Sequence, residues 1–194
     1  MQLDYKNTVF LIVIARDTGH GTVDLDKDGK MVTTYPLNKF DHDSLIEGSF
    51  AAVKILVASG AKEIQSGVPQ LPVLRPSSTD VNAPDVQQYL SQLKASGLPI
   101  GKAPLFCAHQ MGSCRLGNDK GAASVLNPEG ESWEIKNLFV ADASTFPTPS
   151  GVNPMITTES VSYLIAQNVV ERLKQLAKPA AAAAFKSSSV AARL

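Results

Sequence analysis

The chain has 194 residues, 44% hydrophobic and 19% charged, with 18 basic and 18 acidic side chains and no formal net charge. That length allows one well-filled core with a smaller appendage, and the composition is ordinary for a soluble globular protein. A balanced charge gives no footing for a polyanion, so nucleic acid is not expected as a partner. The two cysteines, Cys107 and Cys114, are too few for a disulfide framework and lack metal-site companions. They point to a reducing interior and to no metal centre.

Residues 8–16 (TVFLIVIAR) are rich in β-branched side chains and predict a central strand. The apolar run 9–15 is too short to span a bilayer and is flanked by Lys6 and Arg16. The first residues have no signal-peptide layout. The chain enters this strand almost at once, as expected of a start internal to something longer. Residues 21–26 and 31–37 predict two further strands, joined by a turn at 27–30. Asp24, Asp26, Asp28 and Gly29 imitate the opening of a calcium loop, but Tyr35 stands where its bidentate Glu is needed. A hairpin turn prefers the same residues.

Asp41 or Asp43 can cap a helix running to Ser59, stopped by Gly60, with Leu45, Phe50, Val53, Ile55, Leu56 and Val57 on its apolar face. His20, in a loop, and His42, in that helix's first turn, read as solvated surface residues. A short strand is expected at 62–65. From 67 to 84 the chain is a proline-rich loop without periodicity, either a functional cover or a variable insertion. A second helix is predicted over 84–96, with Val86, Tyr89, Leu90 and Leu93 on one side and Gly97 as its stop. Strands are expected at 104–108, 124–126 and 137–141. The longest helix is predicted over 154–178, with Ile156, Leu164, Ile165, Val169, Leu173 and Leu176 on its apolar side. Beyond it, residues 179–194 are alanine- and serine-rich, expected to be a mobile tail.

Three features in the second half could carry chemistry. His109 precedes a Gly/Ser-rich turn and could serve as a general base, or be a structural histidine bonded to the backbone. Asp142 ends a predicted strand; it could hold sugar-like hydroxyls or simply cap Ala143-Ser144-Thr145. Asn153-Pro154 is a helix start, with Asn as N-cap and Pro at the first helical position. The N–H groups from Met155 onward would then point out of the positive helix end, where they can stabilise negative charge. The other reading is a plain, well-capped helix. A histidine-dependent hydrolase fits poorly, since no Gly-x-Ser-x-Gly elbow is present.

Taken together, the runs His109–Gly117, Asn137–Ser144 and Ser150–Thr157 resemble the C-terminal signature of the glucose-methanol-choline (GMC) oxidoreductases. His-Gln-Met-Gly-Ser-Cys-Arg at 109–115, Glu-Ser-Trp-Glu at 131–134 and Pro-Thr-Pro-Ser-Gly-Val-Asn-Pro-Met at 147–155 are most similar to the long-chain fatty alcohol oxidases of that family. The resemblance is strong from His109 to the end of the last helix and looser over residues 8–61. It implies an α+β fold. Part of a substrate-binding domain, an antiparallel sheet with helices, would occupy 1–108. Residues 109–178 would carry the active-site residues and the C-terminal strand and helix of an FAD-binding domain.

The resemblance also implies roles. His109 would take the proton of the alcohol hydroxyl as hydride passes to the flavin, and the Asn153 amide would hold the alcohol oxygen. Asp142 would bond the ribityl–pyrophosphate part of FAD, with Ala143 beside it, and Pro154 and Met155 would face the flavin pyrimidine. Leu116 and Ala143 stand where the family commonly has Met and Gly. The implied reaction is a long-chain primary alcohol plus oxygen going to an aldehyde and hydrogen peroxide. Such enzymes begin with a Gly-x-Gly-x-x-Gly turn for the FAD pyrophosphate, and Gly19-His20-Gly21 is the only near match, with Asp24 at the third glycine's place. The FAD site is therefore incomplete in this chain. The alternative is a non-catalytic remnant or interaction module of the family that lacks the dinucleotide-binding half. Membrane contact belongs to a full-length enzyme and is not indicated here.

Ala192-Arg193-Leu194 fits a variant of the Ser-Lys-Leu peroxisomal address, so a peroxisomal import receptor is the expected protein partner, with a cytoplasmic location as the alternative. Purified as this chain, the protein should be colourless. A yellow flavin co-eluting with it on gel filtration would overturn that expectation.

Overall fold

The computed structural model describes residues 2–99, 105–120 and 123–177. They form an α+β chain: a two-stranded antiparallel sheet, three α-helices, and short 3-10 helices at Gln2–Asn7 and Ala143–Thr145. Two compact units are present. One takes the described residues up to His109 together with Pro149–Asn153; the other takes Gln110–Thr148 and those from Pro154 onward.

In the first unit, β1 (Thr22–Leu25) pairs with β2 (Met31–Thr34), from Leu25 opposite Met31 to Thr22 opposite Thr34. Asp26 closes the turn: its Oδ1 accepts from the N–H groups of Asp28 and Lys30 at 2.8 and 2.9 Å. Gly29 supplies the positive φ of 75° that the turn requires. Asp24 accepts likewise from the Leu25 N–H at 2.8 Å. Two of the three aspartates that imitate a calcium loop thus bind their own hairpin's backbone.

Helix α1 (Lys39–Ala58) starts earlier than its acidic residues suggest. Asn38 is the N-cap, and its side chain accepts from the Asp41 N–H at 2.8 Å. Asp41 therefore lies inside the first turn, only 1% exposed. Its carboxylate accepts from Thr18 N–H at 2.8 Å, Thr18 Oγ1 at 3.0 Å and Gly19 N–H at 2.8 Å. Asn38 Nδ2 donates to Thr18 Oγ1 at 3.0 Å, completing a cage around the loop. Burial by itself raises the Asp41 pKa, but the amide and hydroxyl donors outweigh it and hold the carboxyl below its ordinary value.

Helix α2 (Pro84–Ser96) begins on a proline and ends at Gly97, whose φ of 60° suits glycine. Its buried positions, Val86, Tyr89, Leu90 and Leu93, follow the i, i+3, i+4, i+7 spacing of one helix face. Val86, Tyr89 and Leu90 form a core with Val53 and Val57 of α1, closed by Ile64, Leu74 and Ala83. The proline-rich stretch 67–84, expected as a cover or a variable insertion, packs into this core. Ile64 and Leu74 exchange two backbone bonds of 2.9 Å, and Val68 is 3% exposed, so the loop forms one wall of the core.

Several expected strands are not formed. Residues 8–16 form none, and Val9, Phe10 and Ile12 are about two-thirds exposed (66%, 65% and 67%). A strand exists only through a ladder to a second one, and among the described residues none pairs with this segment. Residues 62–65 and 124–126 contribute only isolated bridges, as does 137–141 through Glu131 opposite Phe139. Residues 105–108 form no strand, and 104 lies outside the described residues.

In the second unit α3 (Met155–Ala177) lies against residues 129–141. Ile165, 1% exposed, faces Gly130: a Cβ at 130 would come within 2.8 Å of Ile165 Cγ1 and Cγ2. One side of α3 adds polar anchors. Ser162 Oγ donates to Ala141 O at 2.5 Å, Asn168 Nδ2 to Glu129 O at 3.1 Å, and Arg172 Nε to Asn137 Oδ1 at 3.2 Å. The expected apolar side is only partly right, because Ile156, Leu164, Leu173 and Leu176 are exposed while Ile165 is buried and Val169 half-buried. Lys178 and the tail 179–194, with Ala192, Arg193 and Leu194, lie outside the described residues.

Two substitutions test these contacts. Asp41→Asn should destabilise the first unit by about 1–3 kcal/mol, since an amide cannot accept on both sides of the cage. The folded state holds this carboxyl below its unfolded value. Its contribution is therefore complete above about pH 4 and is lost as pH falls through the folded value. Urea midpoints followed from pH 6 down to pH 3 should show that loss in the wild type and not in the variant. Gly130→Ala, at φ 88° and against Ile165, should cost the second unit about 2 kcal/mol or more in the same titration.

Candidate active site

His109 is half-buried and closes the first unit's main stretch, directly before Gln110 opens the second. The glycine turn that follows it is fixed through its backbone. Gly112 N–H donates to Ala143 O at 3.4 Å, Cys114 N–H to Ser144 O at 2.9 Å and Leu116 N–H to Thr145 O at 3.0 Å. On the other side, Val125 and Leu126 N–H donate to Arg115 O, and Gly117 N–H donates to Leu126 O, at 3.0–3.1 Å. Gly112 has φ 86°, and a Cβ there would stand 3.4 Å from Phe146 O. Arg115 spans the turn, its Nη1 donating to Gly112 O and its Nε to Ala123 O, both at 3.3 Å. The chain leaving His109 is thus laid along the residues that follow Asp142.

Asp142 is exposed and precedes the 3-10 turn Ala143–Thr145. Its Oδ1 accepts from Ser144 N–H at 2.8 Å and Ser144 Oγ at 2.5 Å. Its backbone oxygen accepts from Thr145 N–H and Oγ1 at 3.2 and 2.7 Å. The capping reading of Asp142 is therefore correct as far as one carboxylate oxygen goes. Both side-chain bonds fall on Oδ1, which leaves Oδ2 as an acceptor.

At the start of α3 the first intrahelical bond runs from Thr158 N–H to Pro154 O at 2.8 Å. Pro154, not Asn153, therefore occupies the N-cap position, one residue later than expected. The N–H groups of Met155, Ile156 and Thr157 precede that bond and have no acceptor within the helix. Asn153 is exposed and belongs with His109 to the first unit; Asp142, Ala143, Pro154 and Met155 belong to the second. Among the described residues no hydrogen bond joins His109 to Asn153.

Two residues depart from their readings in sequence, His42 as a solvated surface residue and Asp41 as a helix cap. His42 is half-buried, and its Nε2 accepts from the Leu98 N–H at 3.3 Å, just past the end of α2. Asp41 is the buried cage carboxylate described above. Thr18 and Gly19 for Asp41, and Leu98 for His42, lie more than twenty residues away, so local sequence signals neither role.

The GMC oxidoreductase family pattern matches residues 17–162. The chain belongs to the GMC oxidoreductase family. It is 39% identical to Long-chain-alcohol oxidase FAO4A of Arabidopsis thaliana over 176 residues, covering 89% of this chain and 23% of that protein. With Long-chain-alcohol oxidase FAO3 of the same plant it shares 38% over 174 residues, 87% of this chain and 22% of the relative. A C-glycoside 3-oxidase of Arthrobacter globiformis is 31% identical over 85 residues, 41% of this chain and 16% of that protein. The chain spans less than a quarter of the length of these relatives.

GMC oxidoreductases generally depend on FAD, and the residues present fit one part of it. Asp142 Oδ2 can accept from a ligand hydroxyl, and the N–H groups opening α3 can donate to an electron-rich carbonyl. The pyrophosphate has no counterpart among the described residues. Gly19-His20-Gly21 leads into β1 rather than a helix. The glycine at 21 is explained by the hairpin, since a Cβ there would come 2.2 Å from Thr34 O.

Proposed function

We propose that this chain is the C-terminal portion of an FAD-dependent long-chain alcohol oxidase, converting a primary fatty alcohol and oxygen to an aldehyde and hydrogen peroxide. On this reading the first unit is part of the substrate-binding domain, and residues 137–141 with α3 belong to the flavin domain. The names of the two Arabidopsis thaliana relatives, both long-chain-alcohol oxidases, support the substrate class. The observation that carries the site is the backbone pairing of Gly112, Cys114 and Leu116 with Ala143, Ser144 and Thr145, which ties the segment leaving His109 to the Asp142 turn.

FAD, when bound, supplies the acceptor for the hydride that leaves the alcohol carbon. His109 takes the hydroxyl proton, acting as the general base through a ring nitrogen. The Asn153 amide donates to the alcohol oxygen and fixes which hydrogen faces the cofactor. Asp142 Oδ2 would accept from a hydroxyl of the ribityl portion of FAD, with Ala143 beside it. Met155 N–H would donate to a carbonyl of the flavin pyrimidine, with Pro154 opening the helix turn that presents it.

The second reading is a non-catalytic remnant of the family. The test is made on the native polypeptide that carries the 109–115 peptide, purified with FAD from its source. His109→Ala should lower kcat for dodecan-1-ol by about 10²–10⁴-fold while the flavin absorbance is retained. Unchanged turnover would remove His109 from the mechanism. A native polypeptide of about 20 kDa, with no flavin and no oxidase activity, would favour the remnant.

A further inference from the structure

The turn that delivers Asn153 is held from a distance by an arginine. Arg16 Nε donates to Pro149 O at 3.1 Å, across 133 positions of sequence. Gly151, at φ 69°, stands against the aliphatic stem of the same side chain. A Cβ at 151 would come 2.8, 3.2 and 3.3 Å from Arg16 Cβ, Cγ and Cδ. One polar and one steric feature therefore fix residues 149–151 against Arg16. Ser150 Oγ closes the turn by donating to Val152 O at 2.6 Å. Asn153 follows immediately.

Arg16 is itself mounted on a braced segment. Asp17 Oδ2 accepts from the Tyr35 hydroxyl at 2.5 Å, and Thr18 and Gly19 are held by the buried Asp41 carboxylate. The bond to Pro149 O is charge-assisted on the donor side, which strengthens it relative to a neutral pair. A lysine would place its charge past this carbonyl and offer no donor at the Nε position.

We propose that Arg16 is a positioning residue that fixes the Pro149–Val152 turn and thereby the place from which the Asn153 amide meets the alcohol oxygen. This role rests on the reading of Asn153 given above. Arg16 does not touch substrate; it acts through the turn. Small displacements of an orienting group cost up to about a hundredfold in rate, so the effect is measurable without loss of fold.

The experiment has an activity arm and a structural arm. In the flavin-loaded protein that carries this sequence, Arg16→Ala should lower kcat/KM for dodecan-1-ol by about tenfold to a hundredfold. Arg16→Lys should fail to restore it. In an Asn153→Ala background, Arg16→Ala should have no further effect, because the two act as one unit. In the 194-residue chain, amide order parameters at Gly151, Val152 and Asn153 should fall below about 0.6 in Arg16→Ala, while those at Ile64 and Leu74 stay near the rigid value. Gly151→Ala displaces the same turn from its other side and should couple to Asn153 in the same way, so the idea remains testable if Arg16→Ala does not fold. An Asn153→Ala protein with full activity would overturn the reading of Asn153 and this role with it. An impaired Asn153→Ala beside a normal Arg16→Ala, or effects that multiply in the double variant, would overturn the role of Arg16 alone.

Discussion

The Asp41 carboxylate is the constraint on which the first unit depends. It is buried in the first turn of α1, yet its hydrogen bonds go outward to Thr18 and Gly19. A buried charge is costly unless its lone pairs are used, and here two backbone amides and a hydroxyl use them. The donors belong to a loop with no secondary structure of its own. The helix therefore fixes the loop, and the loop fixes what flanks it: Arg16 and Asp17 before it, β1 shortly after it. An aspartate is the shortest side chain that can accept from both amides while its own N–H serves the Asn38 cap.

The apolar run ahead of this cage shows what propensity can and cannot do. Val9, Phe10, Leu11, Ile12 and Ile14 favour an extended backbone, but every one of them is exposed. β-branched side chains stabilise a strand by packing on neighbours in a sheet, and the unpaired N–H and C=O groups need a ladder. The two-stranded hairpin does not provide it, since β1 and β2 pair with each other and are exposed throughout. The composition of the run was legible; its pairing depends on residues outside it.

The same distinction separates the rest of what could be read from what could not. Helix α2 was legible from end to end, because proline, the 86–89–90–93 spacing and Gly97 are all local signals. The start of α1 was misread because Asn38, Asp41 and Asp43 are all competent caps. Only the distant Thr18 and Gly19 decide that Asp41 belongs to another task. The loop 67–84 carries no period, and its role in the core follows from Ile64 meeting Leu74, a pairing that no periodic pattern signals. His42 is another such case, with its acceptor nitrogen serving the Leu98 N–H fifty-six residues on. At the candidate site, His109, Asp142 and Asn153 stood out by their motifs. The bonds around them did not, since the ladder at 112–116 joins backbone atoms that every residue has.

That last point bears on how such a site is built. The residues assigned chemistry stand on turns, and almost none of the bonds that fix those turns comes from the chemical side chains themselves. Gly112, Cys114 and Leu116 hold the His109 segment through main-chain N–H groups; Arg16 and Gly151 hold the Asn153 segment; Ser144 holds Asp142 by one oxygen. This division leaves Asp142 Oδ2 and the N–H groups of Met155, Ile156 and Thr157 available for a ligand. An acceptor atom spent on the scaffold is closed to a ligand, so Asp142 offers Oδ2 and not Oδ1. Glycine at 112 and 151 serves the same end: 112 takes a positive φ of 86°, and at 151 a Cβ would crowd the Arg16 stem at 2.8 Å. On the proposed reading, the residues assigned chemistry are held in place by neighbours that take no part in the reaction.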